Sequence, residues 1–442
     1  MQSGLPKVLH RLAGRSLLEH VLAVAEGVSP ASITVIVGHG GDVVRSSLVN
    51  RPDATCVTQE PQLGTAHALQ QAESVLRGKS GTLVMLSGDV PLLTVSTLHR
   101  LLATHQSANA AATVVTALVD RPDGYGRIVR EAGRIARIVE DRDASPAERE
   151  IREINSGIYA FDIAPLFEAL SHIASANAQG EYYLTDLVAA YRRQSLPVET
   201  LEVVDPREVQ GINTRAELAD AAKVVRQRKN AELMAAGVTL VDPDATYIEP
   251  EVQIGPDTVI HPGVILEGRT RVGASCDVQA HVRIVDSEIG DGASVNSFSM
   301  IVGARLGSGA SVGPFAHLRP GSVVGDGARV GNFVELKNTM LGPGSKANHL
   351  AYLGDATIGA GVNIGAGAIT CNYDGVQKHR TVIEDGAFIG SDSQLIAPVR
   401  IGKGAYVGAG SSISDDVPPG SLAIARSRQT NVEGWAERKK RS

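Results

Sequence analysis

The side chains most able to do chemistry stand at three separate places in the chain. Lys7 follows a Leu-Pro turn and carries a cation, which in a loop is ordinarily solvated. Asp89 comes directly after an apolar run, where a carboxylate could cap the next helix or act as a ligand in a metal or phosphate site. His349 lies in a glycine-rich half, where a lone imidazole could be a general base, or else a corner or interface residue. Each role depends on the elements that position the residue.

Asp89 belongs to a first half that alternates strand and helix signals. Residues 32–37 and 82–87 are short apolar runs typical of buried strands, while residues 65–76 and the stretch near Thr97 are predicted to be helical. Ser16 and Glu19 form a capping box that predicts a further helix start. The alternation predicts a parallel sheet covered by helices, and such sheets bind ligands beyond the carboxyl ends of their strands. Asp89 lies just past one of those ends.

A long helix is predicted between the two halves. Thr214 and Glu217 form a second capping box, and the Ala-rich stretch behind them runs over roughly 33 Å to Gly237, a suitable helix end. Its middle, residues 226–230, is polar, as expected of a connector. We therefore expect a first domain over residues 1–215, a linker helix over 216–236 and a second domain over 237–442.

His349 belongs to a repeat with a period of six. Apolar residues recur at this spacing with single-residue slips, and glycine often follows them. This is the hexapeptide signature of a parallel β-helix, in which each apolar residue points into the prism and glycine gives freedom at the corners. The predicted inward positions are Ile254, Ile260, Leu266, Val272, Val278, Ile284, Ile289, Val295, Ile301, Leu306, Val312, Leu318, Val324, Val330, Leu336, Ile389, Leu395, Ile401, Val407 and Ile413.

One segment interrupts the repeat. Residues 371–380 have no period-six anchor and contain the turn signal Asp374-Gly375. An excursion from a solenoid usually lies on a binding face, so we expect this loop to help form a site.

Composition excludes several classes of function. A net charge of −6 with 20% charged residues gives no electrostatic argument for nucleic-acid binding, and the basic run at residues 438–441 reads as a solvated tail. Three cysteines are too few and too scattered for a disulfide framework or a zinc site, which favours a reducing, cytoplasmic setting. The sequence has neither an apolar run long enough to span a membrane nor a signal peptide's apolar stretch.

Motif-like clusters accompany these elements in a fixed order. In the first half they are residues 5–9, 59 with 63–67, 88–91, 124–127, 153–157, 180–186 and 211–214, and in the second half they are residues 346–355, 363–367 and 371–375. Together they closely resemble the family of bifunctional bacterial enzymes that join N-acetylglucosamine-1-phosphate uridylyltransferase to glucosamine-1-phosphate N-acetyltransferase. The resemblance covers essentially the whole chain. It implies a Rossmann-like α/β nucleotidyltransferase domain, a connecting helix and a left-handed parallel β-helix that assembles as a homotrimer.

The resemblance assigns roles in the first half. Asp89 and Asn213 match the Mg²⁺ ligands, and Lys7 matches a lysine that contacts phosphate. The chemistry implied is attack of N-acetylglucosamine 1-phosphate on the α-phosphorus of UTP, with release of pyrophosphate. Where the family often has tyrosine before Gly-Asp, this chain has Ser87, which leaves the metal carboxylate intact. Matches to uracil contacts are Gln59, Gly64 and Thr65, and matches to sugar contacts are Gly126, Glu140 and Asn155.

The resemblance also assigns roles in the second half. His349 matches the general base for acetyl transfer from acetyl-CoA to the amine of glucosamine 1-phosphate. A base is needed because an ammonium cannot attack a thioester. Matches to sugar-phosphate contacts are Arg319 and Lys337, with Tyr352 and Asn363 as further substrate contacts. Matches to acetyl-CoA contacts are Ala366, Ser391, Ala409 and Arg426, with Asn372 and Tyr373 beside them on the excursion; Arg426 could equally be an exposed arginine near the chain end.

Alternatives to the bifunctional interpretation remain. The hexapeptide domain could be purely structural, although His349, Arg319, Lys337 and Tyr352 would then have no reason to occur together. A metal-hydrating hexapeptide enzyme would need three histidines meeting at a subunit interface, and His349 has no histidine at close spacing.

The start of the chain bears on a third alternative. The family carries an apolar strand and a Gly-rich loop of the type Leu-Ala-Ala-Gly-x-Gly-Thr-Arg-Met before its Leu-Pro-Lys turn, and Met1 corresponds to the last residue of that loop. We expect Met1 to be an internal methionine of a longer protein. For the chain as written, the alternative is acetyl transfer without efficient uridylyl transfer, because the loop's backbone N–H groups would hold the triphosphate.

Overall fold

Alternating strands and helices build the first of two units in this computed structural model, which describes residues 1–51, 53–175 and 177–440. The first unit is Met1–Val224 and the second is Val225–Ser442. The helices of the first unit are Lys7–Leu9, Leu17–Glu26, Gly41–Ser47, Thr65–Gln71, Glu73–Leu76, Val95–Ser107, Pro146–Arg149, Ile163–Ser171, Asp186–Arg193 and Pro206–Val209. The helix Arg215–Ala235 spans the division between the units.

Capping explains where the main helices of this unit begin. The Ser16 hydroxyl accepts from the backbone N–H of Glu19, and the Glu19 carboxylate accepts from the backbone N–H of Ser16, which confirms the predicted capping box. The expected helix over residues 65–76 is interrupted, because Ala72 takes a ψ of −10° that ends one helix and starts the next.

The sheet of the first unit is mixed, which corrects the expectation of a parallel sheet. Its strands run in the order Val198–Glu202, Ala112–Leu118, Glu153–Asp162, Arg127–Glu131 and Arg134–Val139, with Thr82–Met85 also paired to Glu153–Asp162. Only Val198–Glu202 and Ala112–Leu118 pair in parallel within it. One antiparallel pair, Arg127–Glu131 with Arg134–Val139, is joined at Ala132-Gly133, where both residues take positive φ, as a type I′ hairpin turn requires.

Two smaller sheets complete the first unit. Ile33–Val37 pairs in parallel with Ala54–Thr58, which confirms the strand predicted at residues 32–37. Arg11–Leu12 pairs with Arg15–Ser16 as a short hairpin. The apolar core of this unit packs the sheet against the helices, with Leu98, Leu101, Val114, Ile158 and Phe161 fully buried. Burial of each such side chain stabilises the fold by about 1.5–3 kcal/mol.

The second unit is a β-helix whose coils contribute one strand to each of three parallel faces. The first face comprises Thr239–Leu240, Val259–Ile260, Asp277–Val278, Ser294–Val295, Ser311–Val312, Arg329–Asn332, Lys346–His349, Asn363–Ile364, Phe388–Ile389, Tyr406–Val407 and Leu422–Ala423. The second face comprises Tyr247–Ile248, Ile265–Glu267, Arg283–Val285, Met300–Val302, His317–Leu318, Glu335–Lys337, Tyr352–Gly354, Ile369–Cys371, Gln394–Ile396 and Ser412–Ile413. The third face comprises Gln253–Ile254, Arg271–Val272, Glu288–Ile289, Arg305–Leu306, Val323–Val324, Met340–Leu341, Ala356–Ile358, Thr381–Ile383 and Val399–Ile401.

Every predicted inward position lies inside this prism. All are buried except Ile254, in a coil near the start of the solenoid, which is partly buried against the same core. The architecture expected from the sequence, an α/β unit followed by a parallel β-helix of hexapeptide repeats, is therefore confirmed.

Aspartates fasten successive coils at their corners. The carboxylate of Asp291 accepts from the backbone N–H of Ala274 at 2.8 Å, and Asp326 and Asp385 do the same for Ser308 and Ala360 in coils further on. Hydrogen bonds to a charged group contribute about 1.5–3 kcal/mol each. The excursion predicted at residues 371–380 is a loop between Ile369–Cys371 and Thr381–Ile383, closed by a bridge between Tyr373 and Lys378.

A short exposed helix, Trp435–Lys440, carries part of the basic run near the chain end. No helix within the described residues combines the length and the apolar character that crossing a membrane requires. The three cysteines, Cys56, Cys276 and Cys371, are free thiols.

Candidate active sites

In the first unit, Lys7 lies between the two residues predicted to bind metal. Its ammonium donates to Asp89 Oδ2 at 2.5 Å and to Asn213 Oδ1 at 2.8 Å. The backbone N–H of Ile212 donates to the carbonyl of Asp89 at 2.9 Å, which ties the segment before Asn213 to the end of the strand Thr82–Met85. Residues far apart in sequence thus converge on one cation.

Glu217 fixes the Asn213 end of this group. Its carboxylate accepts from the backbone N–H groups of Asn213 and Thr214, at 2.6 and 2.8 Å. Burial alone raises the pKa of Glu217, but these hydrogen bonds and the nearby Lys7 ammonium outweigh it and lower the pKa. The second capping box therefore both starts the helix Arg215–Ala235 and orients a predicted metal ligand.

The predicted uracil contacts form one group around a tight loop. The Gln59 amide donates to the carbonyl of Gly64 at 3.0 Å, and the Thr65 hydroxyl accepts from the backbone N–H of Leu184 at 3.1 Å. Gly64 has a φ of +105°, and a β-carbon there would lie 2.6 Å from the carbonyl oxygen of Tyr182. Only glycine fits this position. The motif at residues 180–186 thus packs against Gly64 and Thr65 and holds this loop in place.

The predicted sugar contacts are also brought together. The backbone N–H of Asn155 donates to the carbonyl of Gly126 at 2.8 Å, and a β-carbon on Gly126 would lie 3.6 Å from Glu140 Oε2. The Thr185 hydroxyl donates to Glu140 Oε1 at 3.0 Å. Since Thr185 belongs to the same motif, residues 180–186, that contacts Gly64 and Thr65, the two groups share one support.

Glu140 sits in an unusual electrostatic environment. Burial raises the pKa of its carboxyl, and the neighbouring carboxylates of Asp186, Asp143 and Asp141 raise it further, while the bond from Thr185 lowers it. Near it, the buried Arg127 guanidinium pairs with Asp141 at 2.9 Å and donates to the carbonyl of Tyr125. Residues beside the sugar group are thus held by an ion pair between the buried Arg127 and the partly exposed Asp141.

In the second unit, His349 lies at the end of a strand on the first face. Its Nδ1 is 2.6 Å from Oδ1 of Asn332, the residue directly opposite it in the preceding coil. The ring is exposed, and the corner that follows it, at Leu350, takes a φ of +49°. Beyond that corner lies Tyr352, whose hydroxyl would be 2.5 Å from a β-carbon on Gly354.

Successive coils place the predicted acetyl-CoA contacts in one column with His349. The backbone N–H of Gly367 donates to Leu350, that of Asp392 to Ala366, and that of Gly410 to Ser391, at 2.8–3.0 Å. Ala366, Ser391 and Ala409 therefore follow His349 at the same corner, and the exposed Arg426 lies beside Gly410. Asn363 lies on the first face shortly before Ala366 in the chain, and it is opposite Lys346 of the preceding coil.

The predicted sugar-phosphate cations lie near the end of the second face. Arg319 donates to Glu335 at 2.8 Å, and the Lys337 ammonium is 3.3 Å from Asp355 Oδ2. Asp355 also accepts from the amides of Asn338 and Asn372. Burial alone raises the pKa of Asp355, but the bonds from Asn338, Asn372 and Lys337 lower it overall.

Lys378, on the excursion loop, is a cation that the sequence interpretation missed. A side-chain hydrogen bond with the adjacent Lys337 lowers the pKa of Lys378, and repulsion from the Lys337 charge lowers it further. Two neighbouring ammonium groups with Arg319 nearby suit a phosphate dianion. The excursion also carries Asn372, which the structure places against Asp355 in this cationic group, and Tyr373, which is exposed and donates to the carbonyl of Gly375.

Further supporting residues escaped the sequence interpretation as well. Asn332, Glu335, Asp355 and Thr185 each hold a predicted site residue in place. The signal for the first three was available as spacing, because residues 16–18 positions apart lie in neighbouring coils. No comparable signal existed for Thr185, which pairs with Glu140 across 45 residues.

Comparisons with family models agree with the two units. A model described as "MobA-like NTP transferase domain" matches residues 1–154. A model described as "GMPPB C-terminal domain" matches residues 238–346, and one described as "Bacterial transferase hexapeptide (six repeats)" matches residues 380–415.

Curated relatives align along the whole chain. A protein named "Bifunctional protein GlmU" from Pelobacter propionicus is 49% identical over 442 residues, covering 100% of this chain and 96% of the relative. Proteins of the same name from Trichlorobacter lovleyi and Brevibacillus brevis are each 50% identical, over 441 and 439 residues, covering 96% and 95% of those relatives.

Proposed function

The chain belongs to the family of the bifunctional protein GlmU, and from that premise we propose that its two units divide two consecutive reactions. The second unit transfers an acetyl group from acetyl-CoA to glucosamine 1-phosphate. The first unit then transfers the uridylyl group of UTP to N-acetylglucosamine 1-phosphate, which gives UDP-N-acetylglucosamine. The observation that carries this proposal is the near-50% identity that extends across both units at once.

In the acetyl transfer, His349 acts as general base. It takes a proton from the ammonium of glucosamine 1-phosphate, and the free amine attacks the thioester carbonyl and expels the CoA thiol. Arg319, Lys337 and Lys378 supply the positive charge for the sugar phosphate. The column of Ala366, Ser391 and Ala409 above His349 supports this assignment, because small side chains leave room for the pantetheine arm.

In the uridylyl transfer, Lys7, Asp89 and Asn213 form the phosphate and metal site. A carboxylate and an amide oxygen are donors that suit Mg²⁺, and both already converge on one cation, the Lys7 ammonium. When bound, Mg²⁺ supplies neutralisation of the charge on the phosphates. Gln59, Gly64 and Thr65 bind the uracil, while Gly126, Glu140 and Asn155 bind the sugar.

We further propose a homotrimer, formed through the β-helix. A column of stacked rings, His281, Phe298, Phe315 and Phe333, lines one corner with centroids 5.1–5.3 Å apart and ends beside Leu350. The three phenylalanines are 48–56% exposed, and a contiguous exposed apolar strip indicates a contact surface. The four ring residues and Leu350 all take positive φ, which is costly for bulky side chains. A neighbouring copy seated there would also cover His349.

The chain is proposed to act in the cytoplasm on small sugar phosphates and nucleotides. The free thiols of Cys56, Cys276 and Cys371 are consistent with a reducing compartment.

Free-thiol release from acetyl-CoA in the presence of glucosamine 1-phosphate tests the acetyl transfer. His349→Ala is expected to abolish the release, because the variant lacks the proposed general base. His261→Ala is the matched control, since His261 is another hydrogen-bonded imidazole of the β-helix, paired with Asp277 in an earlier coil. Full activity in His349→Ala would refute the general base. Binding of both ligands without thiol release by the parent chain would make the hexapeptide domain purely structural.

Formation of UDP-N-acetylglucosamine and pyrophosphate from UTP, Mg²⁺ and N-acetylglucosamine 1-phosphate tests the uridylyl transfer. Asp89→Asn is expected to lower the rate by about 100-fold or more, because it removes the charged metal ligand. The control is Asp120→Asn, a change at an exposed aspartate that pairs with Arg152. A parent chain that acetylates but forms no product here would support the acetyltransferase-only alternative.

The mass of the particle in solution tests the trimer. One chain has a mass of 46.3 kDa, so three chains give about 139 kDa by sedimentation or light scattering. Phe315→Lys is expected to dissociate the trimer because it buries a charge in the proposed contact. Met340→Lys, which changes an equally exposed apolar residue on the third face, serves as the control. A trimer that survives Phe315→Lys would exclude the aromatic column as the interface.

A further inference from the structure

Asn332 makes the contact with His349 that bears on its protonation. Its Oδ1 lies 2.6 Å from His349 Nδ1, and the two residues face each other in adjacent coils of the first face. An amide oxygen can only accept a hydrogen bond, so Nδ1 must carry the hydrogen. In a neutral imidazole this leaves Nε2 with its lone pair, which is the form that can remove a proton.

The backbone around Asn332 makes this contact rigid. The carbonyl of Asn332 accepts from the N–H of Leu350 at 3.0 Å, so the residue after His349 is held by the same asparagine. Directly before it, Gly331 lets the carbonyl of Asn348 approach so closely that a β-carbon would lie 1.9 Å from it. The residues on both sides of His349 are thereby fixed against the coil that carries Asn332.

We propose that Asn332 is a positioning residue for acetyl transfer, which holds His349 in the tautomer whose Nε2 is the base. This inference rests on the proposed role of His349. Because Asn332 acts through another residue, its loss is expected to slow turnover while substrate binding stays nearly unchanged. A merely structural role would instead lower stability or weaken binding, and it would not depend on the acceptor oxygen.

Two substitutions separate these possibilities. Asn332→Leu keeps the volume and removes the acceptor, and it is expected to lower kcat for thiol release by about tenfold or more. The KM values for acetyl-CoA and glucosamine 1-phosphate should stay within about twofold of the parent values. Asn332→Asp keeps an acceptor oxygen, so its kcat at the plateau of its pH–rate profile should stay within about threefold of the parent value.

Controls keep the test independent of folding and of the general-base assignment. Ser297 precedes Phe298 just as Asn332 precedes Phe333, so the two residues occupy equivalent positions in different coils. Ser297→Leu also introduces an apolar side chain, and it should leave kcat unchanged. Melting temperatures report folding, and His349→Ala reports the base itself. If His349→Ala is inactive, a fall of less than tenfold in Asn332→Leu overturns this inference alone, as does an Asn332→Asp variant as slow as Asn332→Leu. Full activity in His349→Ala overturns the proposed function together with it.

Discussion

Substitution of Gly331 by alanine tests whether close packing of two coils sets the position of His349. A β-carbon on Gly331 would lie 1.9 Å from the carbonyl oxygen of Asn348 and 2.6 Å from its carbonyl carbon. These are backbone atoms, so no side-chain rotation can relieve the contact. Real β-carbons stay at least 3.0 Å from such atoms, and the two coils must therefore separate by roughly 1 Å or more at this point.

The separation has two measurable consequences. Overpacking of this size costs about 1–3 kcal/mol of stability. It also moves Asn348, the residue directly before His349, and stretches the hydrogen bond of 3.0 Å between Leu350 and Asn332. Because a displacement of 1 Å at a reacting group can cost about 100-fold in rate, we expect kcat for acetyl transfer to fall by about that factor.

The assay is thiol release at saturating acetyl-CoA and glucosamine 1-phosphate, with thermal unfolding measured in parallel. Gly290→Ala is the matched control, since its β-carbon would lie 2.7 Å from the backbone nitrogen of Ser308, in coils that hold none of the predicted acetyl-transfer residues. Because its overlap is smaller, it should lose less stability than Gly331→Ala, and it should keep its kcat. The reasoning is refuted if Gly331→Ala loses stability yet turns over at the parent rate.

Three further substitutions probe other parts of the structure. Lys7→Met removes the cation between Asp89 and Asn213, so the affinity for Mn²⁺ without nucleotide should rise by about fivefold in an EPR titration; unchanged affinity would mean that the ammonium does not compete. Glu140→Gln should raise the melting temperature by about 2–4 °C at pH 7.5, because the folded state raises the pKa of Glu140 and the ionised carboxylate therefore destabilises it. The gain should vanish as the pH falls below 4.5, where the carboxyl is protonated in both the folded and the unfolded state. Leu336→Ala should cost about 3–5 kcal/mol in denaturant unfolding, against less than about 0.5 kcal/mol for the exposed Ile369→Ala.

The interior of the β-helix was predictable because one rule determines it. Each six-residue unit forms one side of the prism, so a single apolar residue per unit must point inward. In the sequence that residue is recognised by its recurrence at intervals of six. Ile260, Leu266 and Ile284 are fully buried as the period requires. The excursion was equally visible, since a loop that leaves the prism has no inward residue to repeat.

The contacts that orient the site residues were harder to predict because coil length varies. Partners in adjacent coils are separated by 16 residues for Arg319 and Glu335, 17 for Asn332 and His349, and 18 for Lys337 and Asp355. A slip of one residue at a corner decides which side chains meet. The sequence shows such slips but does not show which corner absorbs them.

In the first unit, the missing information was the order and direction of the strands. The sequence predicted strands and helices in their places, but strand alternation alone does not reveal that Glu153–Asp162 runs antiparallel to its neighbours. That strand carries Asn155 beside Gly126, and the segment after it brings Thr185 to Glu140. Contacts across 45 residues depend on the whole topology, and no local pattern encodes them.

Each predicted phosphate-binding cation forms an ion pair with a carboxylate in this structure. Lys7 is paired with Asp89, Arg319 with Glu335, and Lys337 with Asp355. Such pairs keep the cations oriented. The exposed pair of Arg319 and Glu335 is worth only up to about 1 kcal/mol, whereas the side chains of Lys337 and Asp355 are only 19% and 13% exposed. A phosphate dianion carries more charge than the single carboxylate and offers several acceptor oxygens, so it can attract the cation without displacing the supporting acid. The paired carboxylates therefore position these cations in advance and leave them available to the substrate.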